Sequence, residues 1–204
     1  MIHLSQHIRS GFEENKIVRI GKLVLSIALA ALCGSSSCGW TKTPSPLTED
    51  EQSFLSDVGG YTVGQIKIAS QVAARSHSSE IRTICQRRVI SDSNQLNQIR
   101  AVARDHGLPT TFTPDVGHNA LINHFKTMQL KDVNQDWVGL QIQDNLAKLT
   151  YITEMSKSFS APDVKKLAAS LATKLNKDAY DAQRIAPNYI RPSFPLPAVP
   201  PPKK

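Results

Sequence analysis

The chain has 204 residues, of which 40% are hydrophobic and 20% charged, with 10 Gly and 12 Pro; that length buries one ordinary core, and the composition suits a globular protein rather than a membrane bundle or a disordered chain. The formal net charge of +7 invites comparison with nucleic-acid binders. Apart from Arg87-Arg88, Lys165-Lys166 and Lys203-Lys204, however, basic residues alternate with Asp and Glu as on solvated helix faces, so no nucleic acid is expected as a partner. Weak attraction to an anionic lipid or cell-wall polymer fits such a surface.

Residues 1–38 have the order of a secretory signal peptide. Arg9, Lys16, Arg19 and Lys22 precede the apolar run 23–32 (LVLSIALAAL), and small residues follow at 34–37. At 1.5 Å per residue that run falls well short of about 30 Å of hydrocarbon. Glu13-Glu14 is unusual in such a leader and keeps an uncleaved N-terminal anchor as an alternative. Cys38, preceded by Ser35-Ser36-Ser37, resembles a bacterial lipoprotein site, and lipidation there and ordinary cleavage both stay open. Without the leader, Cys85 is the one remaining cysteine; it makes no internal disulfide, and a small buried apolar role suits it.

After a linker at 39–47, Thr48-Glu49-Asp50-Glu51 forms a capping box that starts a helix running to about residue 75, with Phe54, Val58, Tyr61, Gln65, Ile68 and Val72 on its inward stripe. Ser78-Ser79 restarts the chain. Ile81, Cys85, Val89, Asp92, Leu96, Ile99 and Val102 then share one face, and Gly107-Leu108-Pro109 stops the helix. A shorter piece is expected at 119–128, inside a long connection from 107 to 131. Asp132-Val133-Asn134-Gln135 is again a capping pattern, opening a helix whose inward candidates are Trp137, Leu140, Asp144, Ala147, Tyr151 and Met155. Ser160, Pro162 and Asp163 mark the last start, followed by Val164, Leu167, Leu171, Leu175, Asp178, Ala182 and Ile185. Four long amphipathic helices without strand signals predict an all-α bundle of antiparallel neighbours over 48–186, and the long connection favours a ferritin-like crossover over a simple up-and-down order. Residues 187–204 carry seven of the prolines and predict an extended, solvated tail.

Each long helix interrupts its apolar stripe with polar residues near its middle: Gln65, Asp92 with Ser93, Asp144 with Asn145, and Asp178. Packed in register, these predict one polar layer inside the core. Burying carboxylates costs several kcal/mol unless a metal, a basic partner or a shared proton compensates, and all three remain open at this stage. The histidines add little. His77 and His106 fall at helix ends, and His118 and His124 stand six apart, off a common face. No phosphate loop, zinc spacing or nucleophile elbow occurs, so no catalytic residue is assigned.

The phrases EQSFLSDVGGYTVGQIKIASQVA, RRVISDSNQLNQI, RDHGLP and WVGLQIQDN, over about 49–186, resemble the exported ferritin-like proteins of bacteria, a domain of unknown function often labelled an outer membrane protein. That resemblance implies Glu where Gln65 stands, Asp-His at Asp92-Ser93 and at Asp144-Asn145, and a His near Asp178. Here the Glu and every His are replaced. The substitutions argue against a redox-active di-iron centre; no cofactor is expected, with a hard-cation site at Asp92, Asp144 and Asp178 as the weaker alternative. The expected role is a non-enzymatic exported module of the periplasm or cell envelope, acting on an envelope protein or surface polymer. A ferritin-like metal or oxidative-stress protein and an anionic-polymer binder are the alternatives.

Overall fold

The computed structural model describes residues 46–189 and residue 201. The expected leader with Cys38, most of the linker and nearly all of the proline-rich tail lie outside the described residues. Within them there are five α-helices and no strand: α1 (Glu49–Arg75), α2 (Ser79–Asp105), α3 (Val116–Thr127), α4 (Val133–Met155) and α5 (Pro162–Ile185), followed by a 3-10 turn at Ala186–Asn188.

The helix boundaries follow from local chemistry, with three corrections to the sequence reading. Thr48 and Glu51 form the expected capping box on α1, and Ser78 caps α2 by accepting from the Ile81 N–H. α2 ends at Gly107, whose φ of 71° suits a residue without Cβ; Leu108 N–H donates to Ala103 and Gly107 N–H to Arg104, closing the last turn. The short helix begins at Val116 rather than 119, because the Asp115 side chain accepts from the His118 N–H. Asp132 does precede α4 but makes no side-chain cap bond. Ser160 does not cap α5 either. The Ser160 and Ala161 N–H groups instead donate to Glu51 Oε1, at 2.6 and 2.7 Å.

The path of the chain can be traced from contacts at the helix ends. Ser76, just past α1, bonds Asn134 at the start of α4, whereas Glu51, at the start of α1, meets the start of α5. Tyr189, beyond α5, bonds Ser78 and Glu80 at the start of α2. Thus α1 runs antiparallel to α2 and α4, and α5 antiparallel to both of them. The connection between α2 and α4 must therefore travel the length of the molecule, and it does so along α1. Phe112 lies against Gly59, Thr113 against Gly60 and His118 against Gly64, and Arg75 donates to the Phe125 and Met128 carbonyls at the far end.

That track is cut into α1 by its glycines. A Cβ on Gly60 would stand 2.7 Å from the Thr113 carbonyl oxygen, and one on Gly64 2.6 Å from the His118 ring. Because the obstacle at Gly60 is backbone, Gly60→Ala is expected to destabilise the protein by about 1–3 kcal/mol despite the better helix propensity of Ala, a difference that denaturant midpoints of the two proteins will show.

The apolar interior is two clusters rather than one. Phe54, Leu55, Val58, Ile99, Ile152 and Val164 belong to one; Ile68, Val72, Ile81, Phe125, Trp137 and Ile142 belong to the other. Each fully buried side chain of this size stabilises by about 1.5–3 kcal/mol. The stripes expected for α1 and α5 face inward, as the buried residues of both helices show. α4 is rotated by about one residue: Val138, Gln141, Ile142, Asn145 and Ile152 are buried, whereas Ala147 is exposed and Leu140, Tyr151 and Met155 are half-buried. Its buried face carries two carboxamides, which no apolar count selects. Beside the expected bounds of 48 and 186, Leu47 packs into the first cluster and Tyr189 against the second.

Candidate functional site: a polar seam through the core

Between the two apolar clusters the helices meet in a polar seam. It contains Gln65, Asp92, Asp144, Asn145 and Asp178, together with residues that composition did not single out: Arg88, Gln141, Lys174 and His118.

One half of the seam is ionic and joins α2 to α5. Lys174 Nζ stands 2.5 Å from both Asp92 Oδ1 and Asp178 Oδ2. Arg88 Nη1 lies 3.3 Å from Asp178 Oδ2, and Arg88 Nε 3.7 Å from Asp92 Oδ2. Arg88 is only 8% exposed and Asp92 3%. Burial works against the Arg88 charge, but the Asp92 and Asp178 carboxylates overcome it and raise its pKa further above the ordinary arginine value. Two cations thus oppose two carboxylates, the basic-partner solution among the three that burial allowed. The spacing Arg88–Asp92 and Lys174–Asp178, each four residues along one helix, carried the signal in the sequence.

The other half joins α1, α4 and the crossover. Tyr61 Oη donates to Asn145 Oδ1 at 2.8 Å, Gln141 Nε2 donates to Gln65 Oε1 at 3.2 Å, and Gln65 Nε2 donates to Asp144 Oδ2. His118 comes in from α3, its Nδ1 2.8 Å from Asp115 Oδ2 and its Nε2 3.4 Å from Asp144 Oδ2, with its ring edge-on to Tyr61 at 5.1 Å. Burial pushes the Tyr61 pKa well up, and the neighbouring Asp144 charge adds to it, so its hydroxyl serves only as a neutral donor. A cavity of about 10 Å³ beside Tyr61, Gln65 and Asp92 is at the lower limit for one water. Ser93 stands apart, donating to the Val89 carbonyl of its own helix.

The seam does not bring the three expected carboxylates together. Asp92 and Asp178 share Arg88 and Lys174, whereas Asp144 faces Gln65 and His118. A cation between Asp92 and Asp178 would displace or oppose the Lys174 ammonium already there, so the donor set does not fit the metal that the family resemblance implies. Among the described residues no group of three or more His, Cys, Asp or Glu side chains has the arrangement of a metal site. The Cys85 thiol, fully buried, is pushed up to about 12 by burial and is not a nucleophile at neutral pH.

His118 and His124 do not act together: His124 faces Asp136 on the surface, whereas His118 enters the seam because the crossover folds back onto α1. Burial lowers its pKa, but Asp144 and Asp115 more than offset this and the net shift is upward. A raised histidine pKa stabilises the folded state fully below the unfolded value of about 6.5 and less as pH rises through the folded value. The melting-temperature gap between the protein and His118→Gln is therefore expected to be several degrees at about pH 5.5 and to shrink by about pH 8.5.

Comparison with known proteins adds the following. The fold is similar to the crystal structure of a DUF305 fragment from Deinococcus radiodurans, with a TM-score of 0.63 over 71% of this chain and 99% of that one. At 16% sequence identity this likeness concerns the fold alone. No curated protein matches the chain. No helix among the described residues is long and apolar enough to cross a membrane. A protein-family model described as "Domain of unknown function (DUF4142)" matches residues 39–185, the span of the helical body and the segment that leads into it, and the chain belongs to that family.

Proposed function

We propose that this is an exported protein of the bacterial cell envelope whose ferritin-like helical body is a non-enzymatic module acting through protein or surface contacts. The observation that carries the reading is the Arg88–Asp92–Lys174–Asp178 quartet: the centre of the helices, where a ferritin-like protein places its chemistry, is filled by the chain's own opposed charges. The single crossover along α1 supports the ferritin-like arrangement, and the order of basic, apolar and small residues in 1–38 supports export. What remains available for recognition is the surface.

The test expresses the full chain in a bacterium and follows three properties together. Processing and release from the cytoplasm should be lost when Leu25 and Leu29 are both changed to Arg. Membrane attachment should be lost with Cys38→Ala if the anchor is a lipid, and should persist if it is an uncleaved leader. Elemental analysis of protein purified without chelator should give no stoichiometric iron, and iron bound one-to-one and lost with Asp92→Asn would overturn the non-enzymatic reading in favour of a metal protein.

A further inference from the structure

Between α2, α4 and α5 the surface opens into a groove of about 260 Å³, at the small end of ligand sites. We propose that this groove binds a small organic carboxylate that also carries an amide, of the N-acylamino-acid type. The inference goes beyond the surface-contact reading and does not depend on export.

The groove offers three chemically different zones. Its apolar wall is Ile84, Ile185 and the indole of Trp137. Its charges are unequal once pairing is considered. Asp178 is taken by Arg88 and Lys174 and Asp181 by Lys177, whereas Glu80, which accepts from the neutral Tyr189 hydroxyl, keeps its charge. Arg87 and Arg184, both exposed, line the same groove and have no ion-pair partner among the described residues. Two guanidiniums against the one carboxylate left without a basic partner give the groove a surplus positive charge that favours an anion, and their planar forks favour a carboxylate.

The third zone fixes the rest of the ligand. Trp137 and Gln141 stand one helical turn apart on α4 and both line the groove. Each is 1% exposed, and the indole Nε1 donor and the Gln141 Oε1 acceptor have no hydrogen-bond partner. Leaving such groups unmatched away from solvent is costly. An amide flip does not cure it. Gln141 Nε2 donates to Gln65 Oε1, whose own Nε2 donates to Asp144, so the seam dictates which end of Gln141 turns away from it. An amide, with a C=O for the indole and an N–H for Gln141, complements both atoms, reaching them by a small displacement of the Gln141 side chain. A carboxylate on one side of that amide then meets Arg87 and Arg184, and an acyl group on the other lies on Ile84 and Ile185.

Trp137 is itself the reporter, since the chain has one other tryptophan, Trp40. In full-length protein carrying Trp40→Phe, titration with N-benzoylglycine should change the indole emission saturably. Changing both Arg87 and Arg184 to Gln should weaken that binding by about tenfold or more without altering the melting temperature, because both side chains are exposed. The same scaffold should prefer N-benzoylglycine to 4-phenylbutanoate, which has the same length without the amide, by about tenfold, and Gln141→Leu, which leaves only the indole donor, should reduce the preference. Emission that never saturates up to about 50 mM, an unchanged affinity in the double arginine variant, or equal binding of the two acids would each overturn the proposal, leaving solvent as the groove's sole occupant. None of those results bears on processing, attachment or metal content, so the two readings fail separately.

Discussion

Glu51→Ala is expected to destabilise the protein by about 3–5 kcal/mol, lowering the melting temperature by roughly 10 °C. This one carboxylate ends two helices. Its Oε2 accepts from the Thr48 N–H at 2.9 Å, completing the box at the start of α1, and its Oε1 accepts from the Ser160 and Ala161 N–H groups, which stand where a capping residue of α5 would otherwise act. Alanine leaves three buried or part-buried N–H groups without an acceptor, and Glu51→Gln, which keeps one good acceptor oxygen, should lose about half as much. Burial alone would raise the Glu51 pKa, but the N–H groups of Ala161, Thr48 and Ser160 and the Thr48 hydroxyl reverse it and hold the value near 2, against 4.5 for a free side chain. A depressed carboxylate pKa stabilises the fold fully above the unfolded value, and that contribution is lost as pH falls through the folded one. The gap between the protein and Glu51→Ala should therefore be constant from about pH 7 to 5 and close as pH falls toward 2. A gap independent of pH over that range would show that Glu51 acts by packing and not by its charge.

The second large effect is expected in the ionic half of the seam. Arg88→Met leaves Asp92 and Asp178 facing a single ammonium in a largely buried setting, and breaking such a quartet should cost about 3–5 kcal/mol. The informative comparison is with Arg88→Met combined with Asp178→Leu. The pair Asp92–Lys174 then remains, balanced, and the double variant should recover most of the loss, because removing both partners of a buried pair is often neutral where removing one is not. Chemical denaturation of the protein, of Arg88→Met and Asp178→Leu alone, and of the double variant gives the coupling directly. If the double variant loses the sum of the two single losses, the quartet is not an interacting unit and the seam has no electrostatic logic.

Much of this fold is legible in the sequence, and the parts that are not have physical causes. The stripes of α1 and α5 are readable because large apolar residues recur every three to four positions on their buried faces, Phe54, Val58, Ile68 and Val72 on α1 and Val164, Leu167, Leu171 and Leu175 on α5. α4 is misread by about one residue because Gln141 and Asn145 occupy its buried face while Leu140 and Tyr151 sit at its edge; the face is chosen by hydrogen bonds to Gln65 and Tyr61 on α1, which no local window contains. Asp92 and Asp178 are visible as anomalies in apolar stripes, and their partners as i, i+4 basic residues on the same helices, yet only the packing of α2 against α5 makes four charges into one cluster. His118 is only half readable: Asp115, three residues before it, is a local partner, but Asp144 lies on the next helix and reaches it only through the packing. The N–H groups of Ser160 and Ala161 that lead into α5 are satisfied from more than a hundred residues away in sequence, which leaves no local trace except an absence: Ala161 stands where Ser, Thr, Asp or Asn would be usual.

The glycines of α1 have a consequence for motion. Gly59, Gly60 and Gly64 each cost a helix about 1 kcal/mol relative to Ala, so the middle of α1 has little intrinsic reason to be helical and holds its shape largely through what lies in the track above it. When the crossover lifts, the turns beneath it lose their packing and are left with the weakest stretch of helix in the molecule. The amides of residues 58–66 and those of α3 should then exchange with solvent as one unit, opening together at lower free energy than the two apolar clusters on either side. A length change in the loop before α3 would accordingly be felt less in the loop than in α1.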